Sequence, residues 1–97
     1  MLVIWSDDAY NDLNEILDYF GSICEEALGR RIVQNLFNAT NILAEFPESG
    51  RLGRINGTRE LINKTFPYIT VYTITSNNKV DVLGVIHTSR QFQTIFD

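Results

Sequence analysis

Between residues 7 and 20, apolar side chains recur at Ala9, Leu13, Ile16, Leu17 and Phe20, with Asp, Asn and Glu filling the gaps. That three-and-four spacing predicts a helix with one buried stripe. Ser6 precedes it as an N-cap, and Asp7 and Asp8 fall in the first turn, where carboxylates meet the positive end of the helix dipole. Gly21 is the expected stop signal. A second stripe opens near Cys24, with Leu28, Ile32, Leu36, Ala39, Leu43 and Phe46 spaced four, four, three, four and three apart. Val33, Phe37 and Ala44 widen it, and Pro47 is expected to end it. With about three residues between them, the two helices should form an antiparallel hairpin.

After Pro47 the period changes. "PESGRLGRINGT" has one proline and three glycines with little to bury, and reads as a surface loop. Its "GRLGRING" stretch lacks both the spacing and the following helix of a phosphate-cradling loop. Three strand candidates follow: "TRELINK", "PYITVYTIT" and "VDVLGVIH", the last two joined by "SNNK", whose Asn77 and Asn78 tolerate positive φ. Consecutive strands with a short turn predict an antiparallel meander, and the N-terminal "LVIW" would join the same sheet. "RQFQTIF" reads equally as a terminal helical turn or a loose tail. The expected fold is α+β, a single domain over residues 1–97: a two-helix hairpin packed on one face of a mostly antiparallel β-sheet, order β-α-α-β-β-β.

In "PYITVYTIT", Tyr68, Thr70, Tyr72 and Ile74 share one side of the strand, and Ile69, Val71 and Thr73 the other. Both sides are fairly apolar, yet only one can lie under the helices. Loops or a partner must cover the second. The expectation here is a partner, since exposed apolar patches mark interaction sites.

Composition narrows the field. Of 97 residues, 44% are hydrophobic and 21% charged, a globular balance. No apolar run approaches the roughly 18 residues of a membrane span. The N-terminus has no basic leader or cleavage site, so a cytoplasmic, membrane-free protein is expected. A lone Cys24 cannot form an internal disulfide, and its expected place is buried or half-buried. The net charge of −4 divides unevenly: residues 1–48 carry −7, nine acids against Arg30 and Arg31, while residues 49–97 carry +3. An acidic segment would be drawn to the second half. Direct DNA binding by the chain is disfavoured, because such affinity rests largely on neutralising phosphates.

Candidate chemistry is sparse. One histidine and one cysteine, far apart, give no closed metal site, and no cofactor motif is present. Arg59, Glu60, His87 and Arg90 could serve a metal-free ribonuclease if the start of "TRELINK" neared the end of "VDVLGVIH". Glu60 or His87 would then act as base or acid, with the arginines facing phosphate. The plainer reading makes Arg59 and Glu60 a structural ion-pair network and His87 a strand end. Arg51 and Arg54 read as solvated charges or an anion hook.

"WSDDAYNDLNEILDYF", "FPESGRLG", "GTREL", "PYITVYTI" and "VDVLGVIHTSRQF" occur in this order and nearly fill the chain. Together they resemble the RelE/ParE superfamily of toxins from bacterial type II toxin–antitoxin modules. The resemblance implies the helical hairpin on an antiparallel sheet. It also implies a cognate antitoxin, acidic and partly disordered, that folds over the toxin. RelE-like members cleave mRNA on the ribosome with basic residues on the sheet, whereas ParE-like members inhibit DNA gyrase and are not known as nucleases. Where RelE-like members read "YR", this chain has Tyr68 and Ile69, and Thr88 and Ser89 stand where ribonucleases tend to place Arg, His or Tyr. "GTREL" and "IHTSRQF" look more like ParE.

The reading is therefore a ParE-like, non-enzymatic toxin acting on gyrase, with a RelE-like ribosome-dependent mRNA endonuclease as alternative. A decayed toxin that still binds its antitoxin is a third possibility. Candidate target or partner contacts are Arg51, Arg54, Arg59, Ile69, Val71, His87 and Arg90.

Overall fold

The computed structural model describes residues 1–89. It begins with strand β1 (Leu2–Trp5), which runs directly into helix α1 (Asp7–Ser22). Ser6 caps α1, its side chain accepting the Ala9 N–H at 3.1 Å, with Asp7 and Asp8 in the first turn. Gly21 does not stop this helix. It continues to Ser22 and closes at Cys24, whose φ is 59°. The Glu25 N–H reaches Phe20 O at 2.7 Å and the Cys24 N–H reaches Gly21 O at 3.2 Å. These two bonds define a Schellman closure with cysteine at the left-handed position. Cys24 is exposed, contrary to the expectation of burial. A left-handed turn between helices projects its side chain to solvent whatever its apolarity.

Helix α2 spans Glu26–Ala39, ending eight residues before Pro47. The apolar stripe continues past it on a 3₁₀ segment, Thr40–Ala44. Thr40 marks the tightening: its hydroxyl donates to Phe37 O at 2.8 Å and accepts from Trp5 Nε1 at 3.2 Å. Leu36 and Leu43 are fully buried, so the stripe places the core correctly although the helix changes type within it.

The expected surface loop contains a short strand, β2 (Arg51–Leu52), which pairs with β3 (Arg59–Ile62). Strands β4 (Tyr68–Thr75) and β5 (Lys79–His87) complete the antiparallel meander through a three-residue turn with Asn78 at φ 57°. The sheet order is β1-β5-β4-β3-β2, with β1 parallel to β5. Both helices pack on one face, as α+β layering requires. Ala9, Leu13 and Ile16 of α1 and Ile32 and Leu36 of α2 meet Trp5, Tyr72, Val80, Val82 and Val85 in the main core. Among the described residues, no helix is long and apolar enough to cross a membrane.

One register break shapes the sheet. Val71 lies opposite Gly84 but Tyr72 lies opposite Val82, leaving Leu83 as an extra residue on β5. This is a β-bulge, which bends the strand and frees backbone groups from the ladder.

Candidate functional site

The candidate residues fall into three places. The first is the β2–β3 end of the sheet, where Glu60 lies opposite Val71 and so turns its side chain to the face away from the helices. Glu60 sits on β3 with its side chain fully buried, and an ionised carboxylate there requires cations and donors. Arg51, its neighbour across the β2–β3 ladder, supplies two bonds, Nη2 at 2.8 Å and Nε at 3.0 Å. Arg54 adds its backbone N–H at 3.2 Å and its guanidinium at 3.9 Å. Their side chains are 50% and 57% exposed, so each keeps one flank in water. Arg59 belongs to a different set of contacts. Its guanidinium donates to Gly50 O at 2.8 Å and Glu48 O at 3.4 Å. The ion-pair network expected between Arg59 and Glu60 is thus built from Arg51, Arg54 and Glu60.

Tyr72 locks the same end of the sheet from the helix face. Its hydroxyl donates to Pro47 O at 2.7 Å and accepts the Gly50 N–H at 2.9 Å. Burial pushes this phenol above its ordinary value near 10. A Cβ at position 50 would lie 2.7 Å from the Tyr72 hydroxyl and 2.8 Å from Glu60 O, so only glycine permits the approach.

The second place is the far end of β5. His87 is half-buried opposite Tyr68, the rings edge to face with centroids 5.2 Å apart. Its Nδ1 accepts the Ser89 N–H at 3.2 Å and lies 2.7 Å from the Ser89 hydroxyl. With Nδ1 as acceptor, the neutral ring carries its proton on Nε2. His87 and Tyr68 open onto a cleft of about 450 Å³, bounded across α1 by Asp12, Glu15, Tyr19 and Phe20. Neither carboxylate was singled out from the sequence. The helical repeat places Asp12 and Glu15 on one face, but only the fold turns that face toward the end of β5.

These two places do not meet. Arg59 lies opposite Tyr72, and His87 lies opposite Tyr68. They are separated by two strand spacings, about 10 Å, and by four residues along β4, about 13 Å. The convergence of Arg59, Glu60 and His87 that a ribonuclease would need is absent from the described fold. Arg90 lies outside the described residues, as does the "RQFQTIF" segment. No group of three or more potential metal ligands occurs among the described residues.

The third place is the middle of the sheet face away from the helices, beside the Glu60 network. Ile69 is 5% exposed and Val71 0%, and they cluster with Ile86 and the half-buried Leu83. The expected bare apolar face is therefore not bare at these positions. Val71 stands directly between Glu60 and Gly84 on the neighbouring strands, where it belongs to a second, smaller core.

The chain is a toxin of the type II toxin–antitoxin class, which its family match establishes. The chain belongs to the ParE toxin family of type II toxin–antitoxin systems, parDE, whose pattern matches residues 3–92. As the toxin of such a system it has a cognate antitoxin for a partner. It is 37% identical over 91 residues to Y4kP of Sinorhizobium fredii, covering 94% of this chain and 92% of that one. Toxin RelE2 of Caulobacter vibrioides is 34% identical over 88 residues, covering 91% and 96%. Among solved structures, the chromosomal ParDE system from P. aeruginosa superposes with a TM-score of 0.82 at 19% identity, covering 92% of this chain and 97% of that chain. The isolated E. coli RelE toxin gives 0.53 at 18% identity, covering 96% and 89%. Both share the fold.

Proposed function

We propose that this toxin inhibits DNA gyrase and is neutralised by an acidic, partly disordered antitoxin that folds on it. The observation that carries the reading is the internal commitment of the sheet's arginines. Arg51 and Arg54 hold Glu60, and Arg59 holds the Gly50 turn, at a distance from His87. Phosphoryl-transfer catalysis needs cations preorganised at the scissile group, and each such donor contributes on the order of a hundredfold or more in rate. A binding toxin needs none. The side chains of Arg51 and Arg54 are half-exposed, within reach of an acidic partner, and His87 offers its Nε2 edge. The toxin acts in the cytoplasm, where gyrase works, and with a net charge of −4 it reaches DNA through gyrase and not by itself. The test is supercoiling by purified gyrase with free toxin. Inhibition that antitoxin reverses is expected, and unaffected supercoiling at saturating toxin would refute the proposal.

A second reading, mRNA cleavage on the ribosome, is favoured by one comparison and one geometry: the relative named RelE2, and the His87 ring at the mouth of a cleft. Mapping transcript ends in cells expressing the toxin decides it. Cuts that vanish in His87→Ala would establish the nuclease.

A further inference from the structure

We propose that β1 is a self-recognition edge through which two copies of this chain pair antiparallel, strand β1 against strand β1, about a two-fold axis at Ile4. β1 is the outermost strand of the sheet. The Leu2 N–H donates to Asn78 O at 3.3 Å and the Ser6 N–H to Val82 O at 3.0 Å. Backbone groups alternate sides along a strand, so Leu2, Ile4 and Ser6 face β5. The N–H and C=O of Val3 and Trp5 therefore face outward, a row of two donors and two acceptors with no strand beyond them among the described residues; at the start of the strand the Met1 amino group donates to Ala44 O of the 3₁₀ segment at 2.9 Å. "LVIW" carries no charge, proline or glycine, the devices that ordinarily protect an edge.

The surroundings of this edge are apolar on both sides. On the face away from the helices, Leu2 is 60% exposed and Ile4 38%. On the helix face, exposed parts of Tyr10 and Phe37 flank the Trp5 ring, with centroids 6.0 and 5.4 Å from it. Contiguous exposed apolar surface around an open edge marks an interface.

The register is determined by which groups are free. Val3 of one copy must face Trp5 of the other so that both exchange N–H and C=O, giving four hydrogen bonds. That leaves Ile4 facing Ile4 as a non-hydrogen-bonded pair and Leu2 facing Ser6. Charge selects a second copy over an acidic strand. Asp81 is the parallel partner of Ile4 on β5, and Asp7 and Asp8 follow the edge. An acidic segment laid here would meet these carboxylates. In the two-fold pair the two Asp81 residues are three strand spacings apart, about 14 Å, beyond the screening length of about 8 Å at physiological salt. The inference is independent of the toxin's target.

Sedimentation of free toxin over a range of concentrations, combined with cysteine cross-linking in a Cys24→Ser background, tests it. A concentration-dependent dimer is expected. Directly opposed non-hydrogen-bonded residues have Cβ atoms about 4.5–5.5 Å apart. Ile4→Cys should therefore form an intermolecular disulfide readily, and Leu2→Cys slowly. Ile4→Lys places like charges face to face and should weaken association about tenfold or more with an unchanged circular dichroism spectrum. A species at the 11.1 kDa monomer mass at every concentration would overturn the proposal. So would a dimer that survives Ile4→Lys, or one in which Leu2→Cys cross-links as fast as Ile4→Cys.

Discussion

Asp12 on α1 accepts a hydrogen bond from the backbone N–H of Val85 on β5, 73 residues away, at 2.8 Å. The bulge at Leu83 removes this N–H from the β4 ladder, and the helix returns an acceptor to it. Ser6, the cap of the same helix, donates its hydroxyl to Leu83 O at 3.4 Å. Two polar side chains of one helix thus satisfy the backbone that the bulge exposes. The bulge in turn aims the last three residues of β5, and with them His87, at the cleft beside α1.

Removing that acceptor should be costly. Asp12→Ala leaves the Val85 N–H part-buried and unpaired, a loss of about 1–3 kcal/mol. Asp12→Asn retains an acceptor oxygen and should lose less. Urea unfolding midpoints rank the variants, and equal midpoints for Asp12→Ala and wild type would show that water replaces the carboxylate.

Tyr72 links stability to alkaline pH. Its two hydrogen bonds hold Pro47 and Gly50, and Tyr72→Phe should cost about 1–3 kcal/mol by orphaning both backbone groups. Burial raises the folded-state pKa above 10, so the unfolded chain ionises first and binds fewer protons. Stability from this group is whole below pH 10 and falls as pH rises through 10 toward the folded value. Denaturation midpoints between pH 8 and about 11 should therefore drop more steeply for wild type than for Tyr72→Phe.

The fold was largely legible because its core obeys simple periods. The helical stripes named Leu13, Ile32, Leu36 and Leu43, and the structure buries all four. Features set by tertiary geometry were not legible. The Glu60 network joins residues six and nine positions apart through a strand pairing that a glycine-rich segment does not announce. Reading the second face of β4 as bare followed from counting apolar residues on one strand, whereas Val71 and Ile69 are buried in company with Ile86 of β5. The isolated Gly84 inside "VDVLGVIH" was the available sign of the bulge. It leads to Leu83 and from there to Asp12.

The arginines holding Glu60 should not be equivalent. Arg51 makes two short bonds to Oε1, whereas the Arg54 guanidinium stands 3.9 Å from Oε2. Arg51→Ala strips a fully buried carboxylate of its main cation and should destabilise by about 2–4 kcal/mol. Arg54→Ala keeps its backbone N–H on Oε2 and should cost under about 1 kcal/mol, as for an exposed ion pair. Chemical denaturation of both variants checks the order, and a larger loss for Arg54→Ala would mean that Oε2 is the principal anchor.

The α1–α2 turn has its glycine three residues too early. Gly21 lies within the last turn of α1, where an added Cβ would meet nothing within 4 Å. Gly21→Ala should therefore stabilise by up to about 1 kcal/mol through helix propensity. Cys24 occupies the left-handed position that closes the helix, at a cost of about 1–2 kcal/mol for an L-residue with a Cβ. Cys24→Gly removes that steric cost but adds backbone freedom to the unfolded chain, so a net gain of about 1 kcal/mol is expected. The sites are three residues apart on one turn, and the double variant reports whether they couple. Thermal melts should show both single variants above wild type. A lower melting temperature for Cys24→Gly would mean that the cysteine side chain contributes contacts outweighing its backbone strain.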